Sequence, residues 1–358
     1  MTKIRVGFYV HEWTYAGTAR AHEWLLSAID MRVFEPFVIY WDGGQNDRLP
    51  YLLKAIGENH MVPFSRSQGR KGVGDLYVPE WTDFDKVVGG LDLHVLHHAR
   101  GGYPEWPLST SRNAIVQVET NIFGDVDSSP FLDRSVAICH HIDQRRGCSR
   151  DGVLYNPIPR PDWTTHDGEE TPRTLRKELG IPDDAVVCGR IGRPGNFHPI
   201  AIEGFKKARA VRDDLYYVVI GACADFQRAA ADTPGVITLP VTNDDSRIAS
   251  FYRTLDLFCH YRADGECHST AIAQAMRYGV PVISHEGSPF RGNVETIGPG
   301  GRICTTADEY YAAIMELSYA SERRAVGREA VEHSMLFDQT LIAYRWAHRY
   351  QEWVRGAV

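Results

Sequence analysis

The stretch from residue 255 to residue 284, LDLFCHYRADGECHSTAIAQAMRYGVPVIS, constrains the fold more than any other part of the sequence. Its apolar run at 255–261 has the length of a strand, and a polar loop follows it. Ser269 is a favourable N-cap for a helix that ends near Tyr278, and Gly279 suits the left-handed residue that stops a helix. A second apolar strand comes directly afterwards. Strands that alternate with helices in this way predict a doubly wound α/β fold.

Glu266 lies just before the cap of this helix. A carboxylate beside the free amides of a helix N-terminus is well placed to bind sugar hydroxyls while the amides hold a phosphate. Thr270 and Gln274 are four residues apart and share one side of the helix. The same residues also fit a solvated loop glutamate before an ordinary crossover helix, so both interpretations stay open at this point.

The length and composition favour a two-domain globular protein. A chain of 358 residues exceeds the size at which single cores stop growing. The net charge of -7 argues against nucleic acid as the main partner. The seven cysteines lie mostly in apolar runs without a C-x-x-C pair, which predicts reduced core residues and a cytoplasmic protein.

The sequence predicts at most peripheral contact with a membrane. No apolar run approaches the ~20 residues needed to cross a bilayer, and the N-terminus lacks the apolar region of a secretory signal. The basic loop RSQGRKG at 66–72 could meet an anionic acceptor or a membrane surface, or could simply be solvated.

The first half has the pattern of a Rossmann-like domain. Residues 4–10 predict a strand that runs through a loop containing Gly17 into a helix, and such a loop either lets a ligand approach the backbone or is only a tight turn. Further strands are expected at 37–40, 91–96, 114–120 and 136–140. His97 and His98 end one of them, where open α/β sheets gather their ligand-binding residues.

Neither candidate metal site in the first half is convincing. His94 and His98 share a strand face, but no carboxylate or cysteine nearby completes a ligand set. Asp125 and Asp127 form a D-x-D triplet, but no apolar strand precedes it to aim both acids at one ion. We therefore interpret the triplet as a turn and expect no metal.

The second half begins after a polar, proline-rich passage that places a domain boundary near Arg160. A strand at 185–191 leads through a Gly-rich loop into a helix with Pro199 at its first position. Arg190 ends the strand and Arg193 lies in the loop. Guanidinium groups at such a place can bind a diphosphate bidentately, although surface arginines on a connecting loop would look the same.

The order of acidic residue, short turn, helix and Gly-Val-Pro-Val-Ile-Ser at 279–284 resembles the donor-site signature of retaining GT-B glycosyltransferases of the large family 4. In that family a second Glu lies eight residues after the first, and Gln274 stands at that position here. The family's Gly-Arg matches Gly189 and Arg190, while its following Lys-Gly is replaced by Gly195 and Asn196. The resemblance covers 185–358 well and the first half loosely.

Two family features in the first half are only partly present. The family's Gly-Gly loop near the donor phosphates and the acceptor is reduced to Ala16 and Gly17. The family's His at the end of the 114–120 strand is replaced by Glu119 and Thr120, which makes Glu119 an acceptor-side candidate.

The resemblance implies two Rossmann-like domains that face each other across a cleft, with the C-terminal helix crossing back to the first domain. The domains would be 1–160, joined by about 340–358, and 161–339. It also implies transfer of a sugar from a nucleoside diphosphate to a glycan or small-molecule acceptor, with retention and without metal or cofactor.

The same resemblance gives the expected site residues. Arg190 and Glu266 would be catalytic. The donor would meet Gly17, Arg193, Asn196, Val241, His268, Ser269, Thr270 and Gln274, and the acceptor-side candidates are His97, His98 and Glu119.

Of three other functions, two are compatible with the pattern. A nucleotide-sugar 2-epimerase shares the architecture, and a non-catalytic relative would tolerate the lost Glu and Lys. A Rossmann dehydrogenase is discounted, because no G-x-G-x-x-G follows the first strand.

Overall fold

The structure of the protein is a computed structural model. It describes residues 2–10, 12–14, 16–65, 67–71, 77–80, 82–100, 116–126, 129–146, 151–161 and 174–356. The chain divides into two compact units, one formed by Met1–Ile158 with Phe337–Val358 and the other by Pro159–Leu336.

The first unit contributes eight strands and four helices before the chain leaves it, within the described ranges up to residue 146. They are β1 Ile4–Tyr9, α1 Gly17–Ala28, β2 Phe34–Trp41, α2 Leu49–Ile56, β3 Met61–Phe64, β4 Ser67–Lys71, β5 Tyr77–Glu80, α3 Thr82–Gly90, β6 Val95–Arg100, β7 Val116–Asn121, β8 Arg134–Ala137 and α4 His140–Arg146. A 3₁₀ turn, Glu58–His60, precedes β3.

The second unit follows, and the chain then returns to the first. The elements are α5 Thr174–Glu178, β9 Val186–Ile191, α6 Ile200–Arg209, β10 Leu215–Ile220, α7 Ala224–Ala230, β11 Val236–Leu239, α8 Asp245–Thr254, β12 Leu257–Cys259, β13 Gly265–Glu266, α9 Thr270–Arg277, β14 Val282–His285, β15 Phe290–Arg291, α10 Gly292–Ile297, β16 Gly301–Cys304, α11 Ala307–Leu317, α12 Ala320–Ser334 and α13 Gln339–Gly356. A 3₁₀ turn, Met335–Phe337, leads into α13.

Each unit is built on a six-stranded parallel sheet. The order is β3-β2-β1-β6-β7-β8 in the first unit and β11-β10-β9-β12-β14-β16 in the second. In both sheets the first three strands lie in sequence from the middle of the sheet to one edge, and the other three lie in sequence from the middle to the opposite edge. The order therefore reverses between β1 and β6 in the first unit and between β9 and β12 in the second, as doubly wound sheets do.

The C-terminal helix α13 is part of the first unit, as the family resemblance implied. Trp346 and Tyr350 are buried in the same apolar core as Val6, Phe8 and Val118 of the sheet. Burial of two large aromatic side chains fixes the helix there, since each removes a large apolar area from water.

The predicted strands are present, with differences at their ends. The strand expected at 91–96 begins only at Val95, because α3 ends at Gly90 and Asp92 takes a positive φ of 46° in the turn between them. The strand β3 was not predicted. It is a four-residue edge strand containing Pro63, and edge strands tolerate proline because one side makes no ladder.

A buried ion pair joins four elements of the second unit. Arg176 is 2% exposed, and its Nη2 donates to Asp256 Oδ2 at 2.5 Å. Its Nη1 donates to the carbonyl oxygen of Ala185 at 2.8 Å. Asp256 also accepts from the Val187 amide at 2.9 Å and faces Arg323 Nε at 3.2 Å. This carboxylate therefore ties α5, β9 and α12 to the start of β12.

We predict that Arg176→Met lowers the free energy of unfolding by about 3–5 kcal/mol, because the substitution leaves the buried charge of Asp256 without its main partner. Arg247→Met is the matched control. Arg247, on α8, forms an exposed ion pair with Glu178, which lies on the same helix α5 as Arg176. The control should change stability little. Urea denaturation of the parent and of both variants measures the free energy of unfolding. An equal decrease in the two variants would contradict the prediction.

Candidate functional site

The reversal point of the second sheet brings chemically active residues together. Strands β9 and β12 are parallel neighbours, so their carboxyl ends lie at the same edge of the sheet. Arg190 lies at the end of β9, and His260 directly follows β12. Ligands of open α/β sheets bind outside the carboxyl ends of the strands at such a reversal.

Arg190 is a buried cation. It is 5% exposed, its guanidinium carbon lies 4.0 Å from the centroid of the Tyr261 ring, and its Nε donates to the Tyr261 carbonyl oxygen at 3.3 Å. In the described part of the chain it forms no ion pair, although its charge acts on the Glu266 carboxylate at longer range. A buried charge without a partner is costly, so this guanidinium can bind an anion that enters the site.

The backbone of Glu266 is held by a short parallel ladder. Residues of β13 pair with β15, so that Glu266 faces Arg291. Gly265 has a φ of 72°, and a Cβ atom added to it would meet the Phe290 carbonyl oxygen at 1.8 Å. A Cβ atom on Gly292 would lie 1.6 Å from the Cys267 carbonyl oxygen. The two backbone segments can approach this closely only because glycine stands at both positions.

The Glu266 carboxylate faces two cationic or proton-donating groups. Its Oε1 lies 3.3 Å from His260 Nε2, and its Oε2 lies 3.6 Å from Arg262 Nη1. Burial would raise the pKa of Glu266, but the His260 hydrogen bond and the charges of Arg262 and Arg190 outweigh it and hold the pKa below its ordinary value. The carboxylate is therefore ionised at neutral pH, with 21% of its side-chain surface exposed.

His260 connects Glu266 to the next strand of the sheet. The ring is 2% exposed, and its Nδ1 lies 2.9 Å from the Ser284 hydroxyl of β14. Burial lowers the pKa of His260, and the nearby Glu266 opposes this only in part. His260 was not predicted as a site residue, although it follows a strand at the sheet edge where open α/β sheets gather their ligand-binding residues.

The N-terminus of α9 has the predicted construction. Ser269 is the N-cap, its hydroxyl accepts from the Ile272 amide at 3.4 Å, and Gly279 after the helix has a φ of 71°. Thr270 and Ala271 lie in the first turn, where a helix cannot satisfy its own amides. The prediction of this helix and of both its ends is confirmed.

His268, beside this helix end, is a neutral residue. It is 7% exposed, and burial lowers its pKa to about 4 against the opposing charges of Glu295 and Glu266. Its place next to Ser269 agrees with the expected donor site, and its binding role stays a prediction.

The remaining donor-side candidates of the second unit surround the same edge. Gln274 is half-buried, and its Oε1 accepts from the Tyr252 hydroxyl at 3.3 Å. Val241 follows β11 and is 54% exposed. Arg193 is exposed. Asn196 has a positive φ of 48°, and its Nδ2 donates to Asp264 at 3.2 Å, which links the loop after β9 to the turn before Glu266.

The acceptor-side histidines are both buried in β6. His97 is fully buried, with one ring nitrogen 2.6 Å from the Tyr350 hydroxyl and the other 2.7 Å from Thr120 Oγ1. His98 is also fully buried, with Nε2 3.2 Å from Gln117 Oε1. β6 continues to Arg100, so both histidines lie inside the strand and not at its end as predicted, and both faces of this parallel sheet are covered. Their acceptor-side role stays a prediction.

Glu119 is likewise buried, and its acceptor-side role stays a prediction. It is fully buried in β7, and its Oε1 accepts from Ser135 Oγ at 2.7 Å and from Asn121 Nδ2 at 3.2 Å. Gly17 is the first residue of α1 in the first unit, where its binding role stays a prediction.

Other candidates from the sequence fall partly outside the described residues. This is the case for Asp127 and for parts of the basic loop at 66–72. His94 Nδ1 accepts from the Arg5 amide at 3.0 Å. Among the described residues, no three or more His, Cys, Asp or Glu side chains cluster as metal ligands do, and no helix is long and apolar enough to cross a membrane.

Comparison with known proteins agrees with the architecture. No protein-family model matches the chain. A phosphatidyl-myo-inositol mannosyltransferase of Mycobacterium leprae is 20% identical over 318 residues, covering 82% of each protein. A glycosyltransferase from Rickettsia africae superimposes with a TM-score of 0.75 at 15% identity over 99% of both chains. HepE of Anabaena, solved with UDP-glucose, superimposes with a TM-score of 0.74 at 16% identity over 98% of this chain and all of its own. The chain thus has the GT-B fold of these enzymes.

We predict that Gly292→Ala lowers the free energy of unfolding by about 1–3 kcal/mol, because the new methyl group would push the Cys267 carbonyl and the ladder that holds Glu266. Gly90→Ala is the control. Nothing lies within 4 Å of its added Cβ atom at the end of α3, so it should be neutral or slightly stabilising. Urea denaturation compares the two, and a Gly292 variant as stable as the parent would contradict the close approach.

Proposed function

We propose that the protein is a glycosyltransferase that moves a sugar from a nucleoside diphosphate to a glycan or small-molecule acceptor, with retention of configuration and without a metal. The observation that carries this proposal is the buried Arg190 at the sheet reversal, which forms no ion pair within the described residues and whose charge acts on the ionised Glu266. A cation suits a diphosphate, and a carboxylate suits the hydroxyls of a sugar.

The chemical difficulty of the reaction is the departure of a diphosphate as the glycosidic bond breaks. Negative charge then develops on the leaving oxygen, and fixed positive groups stabilise it best when they need no rearrangement. Arg190, held by the Tyr261 ring and carbonyl, is such a group. The first-turn amides at Thr270 and Ala271 supply a second, because the N-terminus of a helix favours an anion.

Glu266 has the chemistry to hold the transferred sugar. As an ionised carboxylate it can only accept hydrogen bonds, and sugar hydroxyls are donors. Its position between Arg262 and His260 leaves part of the carboxylate exposed for them. Retention is proposed from the likeness of the Glu266 to Ser284 stretch to the retaining family, and metal independence from the cationic groups that take over a metal's role.

Gln274 stands where the family has its second Glu, and its surroundings support a role on the ribose. Its side chain is half-buried one helical turn beyond Thr270, and its Oε1 lies 3.3 Å from the Tyr252 hydroxyl. An uncharged partner gives a weaker bond than a carboxylate would, so the donor is held mainly at its diphosphate and sugar.

The relatives suggest where to begin the search for a donor. HepE binds UDP-glucose, and the M. leprae relative is a mannosyltransferase. Titration calorimetry with UDP, GDP and their glucose and mannose conjugates should therefore find at least one ligand with a Kd in the micromolar range. Release of nucleoside diphosphate in the presence of acceptors then measures transfer.

The same assay separates the other functions. Transfer that persists in EDTA supports the proposal, and complete loss restored by a divalent ion overturns the metal-independent part. Conversion of the donor without an acceptor would identify a 2-epimerase. Tight binding without any turnover would identify a non-catalytic relative.

We predict that Arg190→Ala lowers kcat for transfer by about 100-fold or more, since it removes a charge that acts on the leaving group. Arg193→Ala should have a smaller effect, mainly on KM, because this side chain is exposed. Circular dichroism of both variants controls for folding. A folded Arg190 variant with near-normal kcat would remove this residue from the mechanism.

A further inference from the structure

A line of hydrogen bonds runs from the interior of the second unit to Glu266. Asn293 Nδ2 of α10 donates to Ser284 Oγ at 3.2 Å, and Ser284 Oγ lies 2.9 Å from His260 Nδ1. The other ring nitrogen, Nε2, lies 3.3 Å from Glu266 Oε1. Asn293 and Ser284 are fully buried and His260 nearly so. Water therefore competes little for these hydrogen bonds.

The position of each proton follows from this geometry. The ionised Glu266 carboxylate can only accept hydrogen bonds, so His260 Nε2 carries the proton and donates to it. A neutral ring then has no hydrogen on Nδ1, which accepts from the Ser284 hydroxyl at 2.9 Å. This contact is shorter than the 3.3 Å between Ser284 Oγ and the His285 carbonyl oxygen.

The order Ser284, His260 and Glu266 resembles the hydrogen-bonded set of a serine hydrolase, but it cannot act as one. The Ser284 hydroxyl is fully buried, so no substrate reaches it. A nucleophile must contact the reacting atom of a bound substrate. The line of hydrogen bonds can act only at its exposed end, which is the Glu266 carboxylate.

We propose that His260 is a positioning residue for Glu266: its Nε2–H, fixed by Ser284, holds the carboxylate in the orientation that receives the donor sugar. This inference rests on the proposed function. The ladder with β15 already fixes the backbone of Glu266, so rotation of the carboxylate is the freedom that remains to be restricted. Groups that orient a contacting residue in this way commonly change activity by about 10–100-fold when removed.

Several charged or titratable groups act on the two partners. Arg190 and Arg262 act on both His260 and Glu266, and Glu266 in turn acts on His268. His285, from β14, is also sensitive to the charge of His260. Burial keeps the pKa of His260 below its ordinary value, so the ring stays neutral and in one tautomer at physiological pH.

His260→Gln and His260→Asn form a matched pair that tests the proposal. The Gln amide reaches the position of Nε2 and can still donate to Glu266, whereas the Asn amide reaches only the position of Nδ1. We predict that His260→Gln keeps kcat within about 3-fold of the parent, and that His260→Asn lowers it by about 10-fold or more. Both should bind the free nucleoside diphosphate as the parent does. Equal kcat values in the two variants would overturn the positioning role.

The pH dependence of kcat distinguishes a positioning role from a packing role, because loss of packing alone would not change it. In His260→Asn the carboxylate loses a bond that lowers its pKa while its burial remains, so the pKa of Glu266 rises. The acid limb of kcat should therefore move to higher pH, and it should stay in place in His260→Gln. An unchanged limb in the Asn variant overturns the proposal. Glu266→Gln shows how far kcat falls when the carboxylate is absent, and the His260 variants are compared with that decrease.

Nuclear magnetic resonance tests the local geometry without any turnover. With ¹⁵N-labelled histidine, the signals missing from His260→Gln identify His260, and their pattern should be that of the Nε2–H tautomer. The Nδ1–H tautomer would overturn the proposal. A parent that shows the Nε2–H tautomer and yet transfers no sugar from any donor is a separate outcome. That result would overturn the proposed function and leave the contact between His260 and Glu266 standing.

Discussion

The rest of the site depends on the burial of one positive charge, that of Arg190. The Tyr261 ring and carbonyl hold its guanidinium in place, but neither neutralises it. Its charge favours the ionised form of Glu266 and the neutral form of His260, although the hydrogen bond from His260 acts more strongly on the pKa of Glu266 and burial acts more strongly on the pKa of His260. An enzyme that must stabilise a departing diphosphate benefits from a charge that is already fixed and dehydrated.

Each unit buries a histidine on or just after a strand at the reversal of its sheet, but the surroundings of the two histidines differ. At the reversal of the first sheet, His97 packs between aromatic rings, and burial holds its pKa well below the usual value. Its neighbour His22 is also buried, with a pKa lowered to about 4. At the reversal of the second sheet, His260 is equally buried but faces an ionised carboxylate. His97 lies within β6 and contacts neutral groups, whereas His260 follows β12 and faces a carboxylate, so His260 can orient a charged side chain of the site.

Much of the second unit could be predicted from local sequence, because its signals act over a few residues. The Ser269 cap and the Gly279 stop each depend on neighbouring backbone groups alone. The order of strands and helices likewise follows from apolar runs and turns. His97 and His98 were predicted at the end of a strand, but β6 continues to Arg100 and both are buried, because a strand pattern gives neither the exact end of a strand nor what covers each face.

The sequence by itself determined two doubly wound sheets, the helix that begins at Thr270, the place of Arg190 at the end of a strand and the place of Glu266 just before that helix. Only the tertiary structure decided which polar groups meet. The contacts of His260 with Ser284 and of Ser284 with Asn293 join β12, β14 and α10, and no local pattern encodes a distance between separate elements. The close approach of Gly292 to Cys267 is of the same kind. Protonation states follow from burial and from such partners, so they too were decided only when the chain was folded.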